Sequence, residues 1–154
     1  MKTKLFSLFA VVIVFVACDK NSVYNKLDRD FENSRWQSDD VKTFEFVIED
    51  DSKMYNIDLQ FSHIYDYQYA TVPLEIKMTA PDGKEEQIPF ELQIKDASGK
   101  QLSDCTGDMC DLVVPMKENL KLAKGTYKIT VGQKFKIPYL PNVLALGVNV
   151  KTVE

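Results

Sequence analysis

The chain has 154 residues, 45% hydrophobic and 27% charged, with a formal net charge of −4. That length fits one domain, and the acidic balance argues against nucleic acid as a partner. Of its three cysteines and one histidine, the two cysteines left if Cys18 carries a lipid, together with the histidine, are too few for a four-ligand zinc centre.

The first eighteen residues carry the clearest signal. Lys2 and Lys4 give a positive start, Leu5 to Val16 are apolar except for Ser7, and Ala17 precedes Cys18. A charged start, an apolar middle and a small residue are the three parts of a secretory signal. A cysteine directly after the small residue predicts a lipoprotein signal over residues 1–17, cut before Cys18, whose thiol is then acylated. Phe15 departs from the aliphatic residue usual at that place. The alternative is a plain cleaved signal or a membrane-anchoring helix, with Cys18 incidental. The apolar run is shorter than the about 20 residues that span a bilayer. Cleavage leaves 137 residues with 17 basic against 23 acidic side chains, a net charge of −6. Such a chain buries roughly two-thirds of its unfolded surface, enough for a core. Its acidic surface leaves the lipid on Cys18 as the expected hold on the membrane.

Residues 18–35 are polar and aperiodic and read as the lipidated cysteine and a tether. Trp36 then marks the start of a folded body over residues 36–154, as core, as a lid over the core or as a ligand-stacking ring. Phe44, Phe46 and Ile48 alternate with Thr43, Glu45 and Val47, and Tyr55, Ile57, Leu59 and Phe61 alternate with polar residues. Period two predicts half-buried strands, here joined through the Asp50-Asp51-Ser52 turn as an antiparallel hairpin. Val72, Leu74, Ile76 and Met78 make a third strand. Pro73 has no amide hydrogen, which places that strand at an edge or delays its start. Pro81-Asp82-Gly83-Lys84 is a tight turn, and Ile88, Phe90, Leu92 and Ile94 form a fourth strand before another turn at residues 96–99.

Leu112, Val113 and Val114 read as a short strand and residues 117–124 as a helical turn or loop. A strand from Gly125 turns Tyr127, Ile129 and Val131 inward. Pro138 and Pro141 predict a loop over residues 137–142, and Leu144, Leu146, Val148 and Val150 share one face of a last strand. No stretch keeps helical spacing beyond two turns. The expectation is an all-β fold, a single antiparallel β-sandwich of jelly-roll or immunoglobulin-like type with about seven or eight strands.

Chemistry is sparse. His63 lacks the neighbours of a nucleophilic triad and reads as a surface or strand-end residue. The six glycines are scattered and form no phosphate loop, and no cofactor is expected. Asp104, Asp108 and Asp111 match no calcium loop and read as a solvated acidic turn. If Cys18 carries lipid, Cys105 and Cys110 remain, either as free thiols or as a disulfide closed by a turn through Gly107. Tyr65, Tyr67 and Tyr69 would share one face of a strand. They would serve as core with rim hydroxyls or as an exposed platform for a sugar or protein.

Together the residues resemble the GldH family of gliding-motility lipoproteins. The resemblance begins at Cys18 and passes through Trp36, Phe44-Glu45-Phe46, Tyr55-Asn56, Tyr67-Gln68-Tyr69 and Pro81-Asp82-Gly83-Lys84. It continues through Leu92, Asp96, Gly99-Lys100, Gly107-Asp108 and Gly125-Thr126-Tyr127 to Gln133, Leu140 and Leu146-Gly147-Val148. The chain departs from the family near Ser62-His63, at Thr71, near Gln101 and at Lys136, and Cys105 and Cys110 are not family features. The resemblance implies a lipid-anchored envelope protein, an accessory of gliding motility and protein secretion that works through contacts with other envelope proteins. It carries no catalytic residue onto this chain, and only Cys18 transfers as a functional position. The outer membrane, facing the periplasm, is the expected location. The other functional expectation is a carbohydrate- or small-ligand-binding lipoprotein that uses the tyrosines.

Overall fold

The computed structural model describes residues 21–153; the signal and Cys18 lie outside them. The strands are β1 (Ser22–Asp28), β2 (Arg35–Gln37), β3 (Lys42–Ile48), β4 (Met54–Ile64), β5 (Thr71–Thr79) and β6 (Glu85–Gln93). Then follow β7 (Asp104–Thr106), β8 (Met109–Lys121), β9 (Gly125–Gln133), β10 (Tyr139–Pro141) and β11 (Val143–Val153). Among the described residues no helix is long and apolar enough to cross a membrane.

Two sheets face each other, one in the order β1-β11-β4-β8-β7 and the other β3-β9-β5-β6, with β10 and β2 paired separately. All pairs are antiparallel. With β2, β7 and β10 set aside, eight strands remain, four to a sheet. Only β5 and β6 are consecutive neighbours in one sheet; the other connections cross between sheets. That order is the jelly roll, which decides between the two sandwich types expected.

The alternating residues supply the core as period two requires. Phe44, Phe46 and Ile48 meet Tyr127, Ile129 and Val131 within one sheet, and Ile57, Leu59 and Phe61 meet Val148, Val150 and Leu146 in the other, all buried. Between the layers Phe46 stacks on Tyr127 at 5.5 Å and touches Tyr24 of β1 at 5.8 Å.

The pairing corrects several expectations. β3 and β4 are not a hairpin: the turn at residues 49–53 carries the chain from one sheet to the other. β5 is not an edge strand, since it lies between β6 and β9. Pro73 is tolerated because the β5–β9 ladder starts only at Leu74, so no ladder partner stands opposite its missing donor. Its carbonyl still accepts from the Lys134 amide at 2.9 Å. Residues 117–121 continue β8 against β4 through two register shifts rather than forming a helical turn or loop. Pro138 precedes and Pro141 ends a short strand, β10, where a pure loop was expected. A register shift between Val143 and Ala145 takes Leu144 out of phase, so Val143 and not Leu144 joins Leu146 in the core.

The largest correction concerns the supposed tether. Ser22–Asp28 is a strand paired with β11 from Lys151 to Leu146, and Phe31 is buried. The folded body therefore starts well before Trp36.

Gly147 marks where β1 packs closely along β11. A Cβ there would meet the Lys26 carbonyl oxygen at 2.5 Å, Leu27 Cδ2 at 2.7 Å and Gln60 Oε1 at 2.9 Å. Only glycine lets β1 lie so close.

Candidate functional site

The two ends of the jelly roll differ. One carries the turns at residues 49–53, 80–84 and 122–124. The other carries the longer connections, residues 29–41, 65–70, 94–103 and 134–142, and the β7–β8 hairpin. Loops on a rigid scaffold are the usual place for recognition, and most of the candidate residues gather at this second end.

Trp36 is fully buried opposite Leu140, its Nε1–H donating to the Asp40 carbonyl at 2.7 Å, and Phe31 packs edge-on at 6.1 Å. It is a core residue and offers no ring to a ligand. Lys42, unremarked in the sequence, ties down the adjoining loop. Its Nζ donates to the Asp30 carbonyl at 2.8 Å, pairs with Asp40 at 2.9 Å and Asp28 at 3.5 Å, and lies 4.4 Å from the centre of the Phe31 ring. Burial works against its charge, but the bond to Asp40 and the fields of Asp28 and Asp40 outweigh it and raise its pKa.

The tyrosines do not form one face, because residues 65–70 are not a strand. Tyr65 is exposed, Tyr67 is fully buried and Tyr69 is half-buried against Phe135 at 4.5 Å. Burial pushes the Tyr67 hydroxyl far above its ordinary pKa. A three-ring platform is therefore absent, and Tyr67 fills the role of core.

His63 stands at the end of β4, as expected, but it is not a surface residue. It is fully buried, with ring centroids 5.0 Å from Tyr67 and 5.7 Å from Phe61. Its Nδ1 lies 2.8 Å from the Ile64 carbonyl, which can only accept, so Nδ1 carries the proton. Nε2 then accepts from the Ser103 hydroxyl at 2.7 Å. Burial lowers the His63 pKa, more than the Ile64 carbonyl and the Asp111 charge raise it. The direction of the Ser103 bond is the one a nucleophile needs. However, Asp111 accepts from Ser62 rather than facing the imidazole as an orienting acid. In this arrangement the His63–Ser103 bond clamps the chain before β7 onto β4.

Beside it, Cys105 and Cys110 are cross-strand neighbours joined by a disulfide, with Cα atoms 4.0 Å apart. Gly107 turns the hairpin with φ +62°, and Cys110 is buried while Cys105 is exposed. Asp104, Asp108 and Asp111 are exposed at this hairpin. No group of three or more potential metal-ligating side chains occurs among the described residues.

The same end opens a groove of about 550 Å³ on the outer face of the β1-β11-β4-β8-β7 sheet. Leu27, Met109, Val113 and Leu144 supply apolar walls; Arg29 and Asp111 supply opposite charges. Met109 and Val113 are each 56% exposed. Register explains the gathering: Asp111 and Ala145 flank Ser62, and Val113 and Gly147 flank Gln60, one row above the other. Sequence reading missed this groove because its walls come from β1, β4, β8 and β11. The one available hint was the phase of Met109, Asp111 and Val113, which share the side opposite Cys110 and Leu112.

The fold and this end define the class: an all-β jelly-roll domain that collects its longer loops and an apolar, charge-rimmed groove at one pole. The chain belongs to the GldH lipoprotein family, which matches it over residues 22–150. That match begins at β1, inside the stretch the sequence suggested was tether. A relative named gliding motility lipoprotein GldH homolog, from Christiangramia forsetii, is 27% identical over 86% of this chain and 80% of its own length. The protein named gliding motility lipoprotein GldH from Flavobacterium johnsoniae is 26% identical over 82% of this chain and 77% of its own.

Proposed function

We propose that this protein is a lipid-anchored, non-enzymatic accessory of a gliding-motility and secretion apparatus, acting through contacts with other envelope proteins. Family membership supports the motility role. The observation that carries the contact role is the groove, where exposed Met109 and Val113 stand beside Arg29 and Asp111. Apolar anchors rimmed by charge are the composition of a protein-binding surface. Acylation of Cys18 supplies the anchor, in the outer membrane facing the periplasm.

A tagged, acylated protein should retrieve envelope partners from detergent extracts, and a Met109→Asp, Val113→Asp double variant should lose them while keeping its unfolding midpoint. Equal retrieval by both would remove the groove from the reading. A deletion strain with unchanged secretion, and unchanged gliding where the host glides, would remove the role itself. Cys18→Ala should abolish labelling by a fatty-acid probe; equal labelling would end the lipid assignment.

A further inference from the structure

With β1 in place of a tether, an acyl group on Cys18 lies close to the folded body. The Asn21 carbonyl is fixed by the Thr152 amide at 2.8 Å, and Ser22 pairs with Lys151. Only Asp19 and Lys20 separate Cys18 from Asn21. Three residue steps span at most about 11 Å. The polar layer of a bilayer leaflet is itself roughly 5–8 Å deep. A domain held on so short a lead stands at most about 6 Å beyond the headgroups.

Register says which end lies nearest. Ser22 is level with Lys151, Thr152 with Tyr55, and Met54 with both Val153 and Lys121. This is the end with the short turns at residues 49–53, 80–84 and 122–124. Its charges also suit a lipid surface. In and beside the turns Glu49, Asp50, Asp51, Asp82 and Glu85 stand against Lys53, Lys84, Lys121 and Lys124, a local balance of −1 on a body whose processed chain carries −6. The acids are engaged locally: Lys84 meets Asp82 at 3.0 Å, Lys53 meets Asp50 at 3.8 Å and Lys124 meets Asp51 at 3.9 Å. Val23, Val47 and Met54 are exposed here, and Val23 and Val47 line one shallow groove with Glu49, Asp50, Lys53 and Thr152. A nearly neutral end with protruding apolar groups meets anionic headgroups with less repulsion than the rest of the surface would suffer.

We propose that the short-turn end of the jelly roll rests on the lipid headgroups, so that the disulfide hairpin and the Met109 groove point away from the membrane. The partner of this surface is a phospholipid bilayer. The proposal rests on acylation of Cys18, and the test separates the two.

The full acylated protein is bound to vesicles of phosphatidylcholine with a minor share of phosphatidylglycerol, collected by flotation, and labelled with a membrane-impermeant amine-reactive ester. Peptide mass spectrometry then compares it with the unacylated chain from Asp19 in solution. Labelling of Lys53, Lys84 and Lys124 should fall several-fold on vesicles, while Lys100, Lys134 and Lys136 at the other end stay unchanged. A flexible insert of about ten residues between Lys20 and Asn21 should restore labelling of the first three. Flotation with even labelling, or with protection at Lys100, Lys134 and Lys136, overturns the orientation and leaves the anchor standing. Failure of the acylated protein to float overturns the anchor and the orientation with it.

Discussion

His63 is the residue whose setting differs most from its reading in the sequence. Its buried ring stays neutral in the folded protein, with its pKa held below the ordinary 6.5. In the unfolded chain it titrates near that ordinary value. Between the lowered folded pKa and 6.5 the unfolded state therefore binds more protons, and stability falls with acidification through that window. Urea unfolding at pH 7.5 and pH 5 should show this loss, and His63→Gln should remove part of the pH dependence while costing roughly 1–3 kcal/mol at pH 7.5. An identical pH slope in the variant would contradict a neutral buried ring. Nothing adjacent to His63 in the sequence indicates burial, because its cover comes from Tyr67 and from Ser103, forty positions away. The two cysteines are the opposite case, since a five-residue separation with Gly107 between them makes pairing feasible. Intact mass under non-reducing conditions should fall short of the reduced mass by two hydrogens. Replacing both cysteines with serine should cost about 2 kcal/mol, as expected for a short closed loop.

At the scale of elements, glycine substitutions separate close approach from ordinary packing. Gly147→Ala drives a methyl into the Lys26 carbonyl and should cost roughly 1–3 kcal/mol, seen in denaturant midpoints and in faster amide exchange along β1. Gly132→Ala meets Val41 Cγ2 at an ordinary 3.6 Å and should change stability by less than about 0.5 kcal/mol. Strand existence and phase were largely legible: Phe44-Phe46-Ile48, the series from Tyr55 to Phe61, and Tyr127-Ile129-Val131 all point inward as alternation predicts. Strand partners were not legible, because a jelly roll pairs residues far apart in the chain and sends neighbours such as β3 and β4 to opposite sheets. β1 was missed for a local reason. As an edge strand it carries Ser22, Asn25, Lys26 and Asp28, so polarity on both faces hid its period.

For the whole molecule, β1 tests whether the body begins at Asn21 or at Trp36. Tyr24 packs on Phe46 and Leu27 lies over Gly147, so a chain starting at Arg29 forfeits both contacts and the β1–β11 ladder. Both side chains are partly buried, and their burial is worth roughly 1–3 kcal/mol together. Thermal unfolding should show that loss, whereas a chain starting at Asn21 should match the mature protein. Equal midpoints for all three would return residues 19–28 to the status of linker.

The position of β11 sets a timetable. It is the final strand in the chain and sits between β1, the first, and β4. A polypeptide delivered across a membrane from its N-terminus presents β1 long before β11 emerges. Until then β1 and β4 lack the strand that lies between them. Sandwiches with such distant pairings close in milliseconds to seconds, so closure of this sheet waits on β11. An interrupted or C-terminally shortened product would keep its first strand unpaired beside the membrane, marked for proteolysis rather than assembly.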